Sequence, residues 1–157
     1  LKNYKMFIGG EWLDSDTDKT FETLNPENNK PWARVPEASA SDVDKAVKAA
    51  HNAFEGEWSK LLPRDRAKFL RAIGNKLREN AELLGKIETI DTGKLFRETN
   101  KQAIYIAEYY DYYAGLADKV EGTVLPMDKP NIQAITTRIP IGVIAAITPI
   151  GILVVIA

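Results

Sequence analysis

The residues that could do chemistry in this chain are few, and their types narrow the reactions open to it. The sequence of 157 residues contains no cysteine and a single histidine, His51. A thiol nucleophile, a disulfide framework and a histidine-rich metal site are therefore excluded within this chain. The net charge is -1, from 21 Lys and Arg against 22 Asp and Glu, and no long basic run stands out. The charge pattern therefore gives no indication of a nucleic-acid partner.

Tyrosine is the one chemically versatile side chain that clusters in this sequence. Of the six tyrosines, five fall in a predicted helix from about Phe96 to about Leu116: Tyr105, Tyr109, Tyr110, Tyr112 and Tyr113. Such a cluster is compatible with a ligand cage or a stacking surface. The spacing of Tyr105, Tyr109 and Tyr113 instead favours ordinary helix packing, with the rings inward and the hydroxyls at the rim. We therefore expect these three rings to belong to the core.

The elements that would position these side chains begin with short strands and continue with helices. Gly9-Gly10 separates two short apolar arms, which predicts a tight hairpin, because glycine accepts the positive φ angles of the turn. Helices are predicted to begin near Ser39, Pro63, Asn80 and Phe96. Apolar residues at spacings of three and four mark the faces that we expect to be buried in the first two helices: Val43, Val47, Ala50 and Phe54, then Phe69, Leu70, Ile73 and Leu77.

The tail of the sequence is strongly apolar, with no charged residue from Ile139 to Ala157. Its length approaches that of a membrane span, so a helical domain with a C-terminal membrane anchor is one interpretation. Pro140 and Pro149 interrupt the stretch, and its β-branched residues disfavour a helix. We interpret Val143 to Ile147 as a strand buried on both faces, which implies a parallel sheet covered by helices. No membrane partner is therefore expected.

A buried strand needs neighbours, and this sequence supplies none after Ile147. We therefore expect that the chain is part of a longer protein, or that the partner strand comes from another chain. The first residues lack the long apolar stretch of a signal peptide. A cytoplasmic location is the expectation that follows.

Seven short motifs occur in an order and spacing that together point to one family. They are Phe7-Ile8-Gly9-Gly10-Glu11-Trp12, Leu24-Asn25-Pro26, Asp42-Val43-Asp44-Lys45-Ala46-Val47, Pro63-Arg64-Asp65-Arg66, Glu88-Thr89-Ile90-Asp91-Thr92-Gly93-Lys94, Tyr112-Tyr113-Ala114-Gly115 and Pro140-Ile141-Gly142-Val143. Each motif alone is a weak signal, but together they closely resemble the opening third of the NAD(P)-dependent aldehyde dehydrogenases. The resemblance runs from about Tyr4 to Pro149. The segment that follows, Ile150-Gly151, departs from the Pro-Trp-Asn pattern of the family.

The resemblance implies a fold class and a division of the chain. The fold implied is α/β: the amino-terminal portion of a Rossmann-like cofactor-binding domain with a β-hairpin oligomerisation arm. Residues 1–122 would form the start of the cofactor-binding domain. Residues 123–140 would form the arm, with its hairpin from Thr123 to Arg138, and residues 141–157 the first central strand. Assembly as a homo-oligomer, either a dimer or a tetramer, is implied by the same likeness.

The resemblance also implies a reaction, the oxidation of an aldehyde to a carboxylic acid with NAD or NADP as the cofactor. In the family a cysteine thiolate attacks the carbonyl of a small aldehyde, and a glutamate activates water. An asparagine side chain and a backbone amide stabilise the oxyanion. None of these catalytic side chains is matched here, so we expect the chain by itself to be an inactive fragment of an oxidoreductase. A non-catalytic interaction module is the alternative.

Two sets of binding residues are carried over by the resemblance. Ile147, Thr148 and Pro149 correspond to the strand end that touches the dinucleotide. This agrees with the rule that ligands lie beyond the carboxyl ends of strands in open α/β sheets. Leu24 and Asp91 correspond to a monovalent cation site built largely from backbone carbonyls. Asp91 is equally compatible with a solvated turn residue.

Overall fold

A computed structural model of the protein describes residues 1 to 147. The fold is mixed α/β, with small sheets in place of one large one, which confirms the fold class at that level. The elements in chain order are β1 (Lys2–Asn3), β2 (Met6–Ile8), β3 (Glu11–Leu13), β4 (Thr20–Asn25), β5 (Lys30–Pro36), α1 (Ala40–Glu55), α2 (Glu57–Lys60), α3 (Pro63–Glu79), α4 (Ala81–Thr92), α5 (Phe96–Leu116), β6 (Val124–Leu125) and β7 (Ala134–Ile135).

The strands form one three-stranded sheet and two separate hairpins. In the larger sheet β5 is central, antiparallel to β4 on one side and parallel to the short β1 on the other. The predicted hairpin of β2 and β3 is confirmed, and Gly9 and Gly10 at its turn have φ angles of +63° and +90°. A side chain at either position would strain this turn, because L residues rarely adopt positive φ.

Helix α1 begins at a capping box that also anchors the loop following β3. The Ser39 side chain accepts a hydrogen bond from the Asp42 N–H, and the Asp42 carboxylate accepts one from the Ser39 N–H. The same carboxylate, only 2% exposed, accepts further bonds from the Ser15 hydroxyl at 2.8 Å and the Asp16 N–H at 3.2 Å. The hydrogen bond from the Ser39 backbone, followed by the two serine hydroxyls, lowers the pKa of Asp42 to about 2.

The helical layer is built around α5, which packs against both α3 and α4. Its packed surfaces carry small residues, and the closest approach is at Gly85 of α4. A Cβ added there would lie 2.8 Å from the backbone nitrogen of Asn100. Thr99, fully buried, donates its hydroxyl to the Gly85 carbonyl at 2.9 Å. The buried small residues of the layer are Ala67 and Gly74 of α3, Ala81 and Gly85 of α4, and Ala103, Ala107 and Ala114 of α5.

The large apolar side chains of α1 and α3 are not where the sequence analysis expected them. Val43 and Val47 of α1 are about half exposed, and so is Phe69 of α3. The prediction of burial is therefore wrong at these residues and at Ala50 and Ile73, whereas Phe54, Leu70 and Leu77 are half-buried. In α3 the cause is the tight contact with α5 at Ala67 and Gly74, which leaves no room for larger side chains on that face.

The predicted hairpin from Thr123 to Arg138 is present, with its two strands β6 and β7 reduced to two residues each. Residues 141 to 147 form neither helix nor strand, so the expected strand at Val143 to Ile147 is not observed. A strand requires a hydrogen-bonded neighbour, and no strand in residues 1 to 147 pairs with this segment. The assignment of residues 141–157 to a central strand extends beyond the described residues and stays a prediction.

The helices between residues 1 and 147 include none that is both long and apolar enough to cross a membrane.

A glycine-to-alanine exchange at the contact between α4 and α5 should destabilise the helical layer. In Gly85→Ala the added methyl group meets the backbone of Asn100, so the helices must separate. We expect a loss of about 1–3 kcal/mol in the free energy of unfolding, as is usual for overpacking. Gly115→Ala is the matched control, because a Cβ on this glycine of α5 has no neighbour within 4 Å. It should be neutral or slightly stabilising in urea denaturation, and an equal loss in both variants would contradict the close-contact explanation.

The Asp42 carboxylate should make stability depend on acidity. Its pKa of about 2 in the folded chain lies below the ordinary value of 3.8. Its contribution is therefore fully present above pH 4 and is lost as the pH falls from about 4 towards 2. Asp42→Asn should be less stable than the parent at pH 7, with the difference shrinking towards pH 2. Thermal unfolding across this range is the measurement, and Asp44→Asn, which changes an exposed carboxylate of α1, is the control.

Candidate cation and cofactor sites

Asp91 and the end of β4 meet where the helical layer joins the larger sheet. One oxygen of the Asp91 carboxylate accepts hydrogen bonds from the Thr23 hydroxyl at 2.6 Å and from the Trp32 indole N–H at 3.2 Å. Thr23 precedes Leu24 in β4, and Trp32 lies in β5. Asp91 is half-buried in the last turn of α4, so its interpretation as a solvated turn residue is wrong. Its side chain has a structural role, which is to tie two strands to one helix.

The backbone of Leu24 offers an oxygen that its paired residue cannot use. In the ladder of β4 and β5, Leu24 is opposite Pro31, and the register shifts between Thr23 and Leu24. Proline has no N–H, so the Leu24 carbonyl receives no hydrogen bond from its partner across the ladder. β4 is also an edge strand of the three-stranded sheet. A donor to this carbonyl from β5 would have to come from a residue other than Pro31.

The end of α4 supplies a second source of carbonyl oxygens. Gly93, with φ +77°, closes the helix by donating its N–H to the Thr89 carbonyl at 2.9 Å. The carbonyl of Asp91 lies after Thr89, beyond the reach of donors within the helix, at the negative end of the helix dipole. Pro26, two residues after Leu24, lies against Gly93, with its Cβ 3.4 Å from the position of a Cβ built there. The residues that follow β4 therefore pack against the end of α4.

Near Asp91 the described residues present backbone carbonyl oxygens at the exit of β4 and the end of α4. Within residues 1 to 147 there is no group of three or more His, Cys, Asp or Glu side chains able to hold a metal ion. Neutral carbonyl oxygens suit hard cations, and the helix end adds a partial negative charge. The structure places Thr23, the neighbour of Leu24 in β4, in contact with Asp91, a contact that the sequence analysis had not identified. The cation site at Leu24 and Asp91 stays a prediction.

Of the three predicted cofactor contacts, Ile147 is the one that lies within the described residues. Ile147 is 96% exposed and lies outside any strand. Thr148 and Pro149 lie outside the described residues. A dinucleotide cradle requires the carboxyl ends of neighbouring parallel strands, and the segment up to Ile147 does not have them.

The tyrosines of α5 lie at the surface of the helical layer. Tyr105, Tyr109 and Tyr113 are 55%, 48% and 57% exposed, so the expectation that their rings pack inward is wrong. Ala107 occupies the packed face in their place. A Cβ on Gly74 of α3 would lie 3.1 Å from the Ala107 carbonyl oxygen, which leaves no space for an aromatic ring. The i, i+4, i+8 spacing was correct for one helix face, but that face lies beside the tight contact with α3 and stays largely exposed.

These rings border a groove of about 620 Å³ between α3 and α5. The rings of Tyr105 and Tyr109 are perpendicular, at 87°, and their centroids lie 5.1 Å apart. Their hydroxyls are hydrogen-bonded to each other at 3.1 Å, and this hydrogen bond raises the pKa of Tyr109. The full lining consists of Leu70, Gln102, Tyr105, Ile106, Tyr109, Tyr110 and Tyr113.

Residues missed by the sequence analysis share one property, which is a partner far away in the chain. Thr23 and Trp32 are separated from Asp91 by 68 and 59 positions. No local pattern marks such a contact. The only available signal was the presence of hydrogen-bond donors on strand residues next to Leu24, and this is too common to be specific.

Comparison with known proteins gives a consistent result. The model of the aldehyde dehydrogenase family matches residues 12–151. A butyrolactone dehydrogenase of Acinetobacter baylyi, (Z)-2-((N-methylformamido)methylene)-5-hydroxybutyrolactone dehydrogenase, is 43% identical over 95% of this chain and 30% of its own length. The betaine aldehyde dehydrogenase of Bacillus subtilis is 38% identical over 92% of this chain and 30% of its own. The chain thus spans about 30% of the length of these curated relatives, and it matches an amino-terminal part.

Solved structures lead to the same group. The crystal structure of a betaine aldehyde dehydrogenase from Staphylococcus aureus, in complex with NAD+, is similar with a TM-score of 0.76 and 37% identity. The likeness covers 82% of this chain and 26% of that one. A 3,6-anhydro-L-galactose dehydrogenase in complex with NAP has the same TM-score of 0.76 at 29% identity.

Removal of the Asp91 carboxylate should destabilise the contact between the larger sheet and the helical layer. Asp91→Ala leaves the Thr23 hydroxyl and the Trp32 indole without their acceptor. We expect a loss of about 1–3 kcal/mol in unfolding free energy, together with a change in tryptophan fluorescence. Asp91→Asn keeps a carbonyl oxygen at the same position and should retain most of that stability. If both variants unfold like the parent in urea, the carboxylate does not hold the joint.

Proposed function

This chain belongs to the aldehyde dehydrogenase family, and we propose that the whole protein oxidises an aldehyde to a carboxylic acid with a nicotinamide cofactor. The observation that carries the proposal is the continuous family match over residues 12–151. The curated relatives that match are dehydrogenases, which gives no support to an interaction module or a membrane anchor as the alternative. The names of these two relatives indicate different substrates, a hydroxybutyrolactone in one and betaine aldehyde in the other, so the proposal stays with the aldehyde class.

The cofactor proposed is NAD or NADP, which accepts a hydride from the substrate when it is bound. Solved relatives support the class, since their descriptions name NAD+ in one case and NAP in another. Ile147, Thr148 and Pro149 are the contacts proposed for this chain. Because Ile147 lies in solvent and outside any strand, residues 1 to 147 supply no nucleotide cradle by themselves.

We also propose that the protein binds a monovalent cation through the backbone carbonyls of Leu24 and Asp91. The support is the proline opposite Leu24, the negative end of α4 and the contact of Thr23 with Asp91. A bound cation would neutralise the end of α4 and hold it against β4. Its role here is therefore to stabilise the joint between sheet and helices.

Assembly and location complete the proposal. The hairpin of β6 and β7 would join copies of the protein into a dimer or a tetramer. Its exposed side chains Val124, Leu125 and Ile135 are apolar, as an interface requires. The proposed location is the cytoplasm.

The activity is tested by expressing two forms, the protein from its full reading frame and residues 1–157 alone. We expect NAD(P)H absorbance to rise with the full form and a panel of aliphatic and aromatic aldehydes. Residues 1–157 should give no rise, because they contain no cysteine to act as nucleophile. Absence of turnover in the full form with every aldehyde and both cofactors would contradict the proposal. Turnover by residues 1–157 alone would show that the nucleophile is not a thiol.

A further inference from the structure

A hollow of about 610 Å³ lies between α2, the start of α3 and the segment 138–140, and two arginines, Arg66 and Arg138, are part of its wall. We propose that this arginine hollow is the docking site for a part of the same polypeptide beyond Ala157, which places an aspartate or glutamate carboxylate on Arg66. The inference rests on the longer protein of the proposed function. It concerns a contact within that protein and is independent of the cofactor and of turnover.

The guanidinium of Arg66 is fixed at the arginine hollow with one donor unused. Its Nη2 donates a hydrogen bond to the Leu61 carbonyl at 3.0 Å, which ties the start of α3 to the end of α2. Its Nε is buried and has no hydrogen-bond partner among residues 1 to 147. A buried donor without an acceptor is costly, above all on a charged group. The side chain is therefore in place for an acceptor that the described residues do not supply.

A carboxylate is the acceptor that the charges of the arginine hollow require. The lining includes two arginines and, within the described part of the chain, neither aspartate nor glutamate. Asp65, the acid next to Arg66 in sequence, is engaged by Lys68 at 2.7 Å. A carboxylate can accept two parallel hydrogen bonds from one guanidinium, a geometry that neutral acceptors do not match.

The remaining walls favour a protein segment over a water molecule or a free inorganic anion. Trp58, Leu116, Val120 and Ile139 line the arginine hollow, and each is more than a third exposed. A water molecule at the Arg66 Nε would have few further polar partners here. An inorganic anion would leave the apolar walls in contact with water. A segment of chain covers these walls and supplies the acid, and aromatic residues with arginine are typical of the centre of such contacts.

The carboxylate is assigned to the part of the protein that follows Ala157. Residues 138 to 140 line the arginine hollow, so the chain passes it directly before the last described residues. From Ile139 to Ala157 the sequence has neither aspartate nor glutamate, so this stretch cannot provide the acid. The chain spans about 30% of the length of its curated relatives and matches their amino-terminal part. Most of the protein is therefore available to supply the docking segment.

The test is zero-length cross-linking of the whole protein, expressed from its full reading frame, with a water-soluble carbodiimide. Arg66→Lys replaces the guanidinium by an amine, which the reagent couples to a paired carboxylate as an amide while the carbodiimide becomes a urea. We expect peptide mapping by mass spectrometry to find position 66 joined to an aspartate or glutamate beyond Ala157. Arg64→Lys is the matched control, because it places the same amine at an exposed position of α3, and it should give no such product.

The position of the coupled acid decides the outcome. Coupling only to acids within residues 1–157, or no more coupling in Arg66→Lys than in Arg64→Lys, would overturn the proposal. A mixture of protein with natural and with heavy nitrogen identifies the chain that provides the acid. A product that joins a light to a heavy chain would assign the arginine hollow to a second copy and would also overturn it. No turnover is measured, so failure here is distinct from failure of the dehydrogenase assay.

Unfolding kinetics of the whole protein in urea measure the pairing itself. Arg66→Gln and the neutral amide variant of the coupled acid should each speed unfolding by about tenfold or more, because each leaves a buried charged partner unpaired. The double variant should unfold within about twofold of the faster single variant. Rate effects that multiply would show that the two side chains act independently, which contradicts the pairing.

Discussion

The close contact of α5 with α3 and α4 is the constraint on which the described fold depends. At Gly85 the backbones of α4 and α5 come close enough to exclude a methyl group. At the same contact the Thr99 hydroxyl donates a hydrogen bond to the Gly85 carbonyl. Because small residues fill much of the inner faces, many of the larger side chains of the three helices are exposed, with Ile106 as a buried exception. The tyrosine groove and the exposed apolar faces are thus consequences of tight packing inside the layer.

Two carboxylates join the sheet region to the helices, and both are engaged structurally. The Asp42 carboxylate accepts hydrogen bonds from the loop after β3 and from the start of α1. Asp91 does the same for β4 and β5 at the end of α4.

Local patterns predicted the local structure well. The Gly9-Gly10 hairpin, the start of α1 after Ser39, the start of α3 at Pro63 and the extent of α5 are all present. The inner faces were not predicted, because apolar periodicity identifies a stripe of large residues and gives no weight to alanine and glycine. At Phe69 and Tyr105 the stripe therefore indicated the wrong side. The contacts of Asp91 depend on positions nearly 70 residues apart. At Val143 the apolar, β-branched pattern predicted a strand that residues 141 to 147 do not form.

The order of the helices along the chain has a consequence for synthesis. α3, α4 and α5 follow one another with short links, so the contacts at Gly74 and Gly85 close loops of only a few tens of residues. Loops of this size close with a small entropic cost, and domains rich in such contacts fold quickly. The helical layer can therefore form on the ribosome while later parts of the chain are still being made. The apolar segment that follows residue 138 then emerges next to a layer that is already folded.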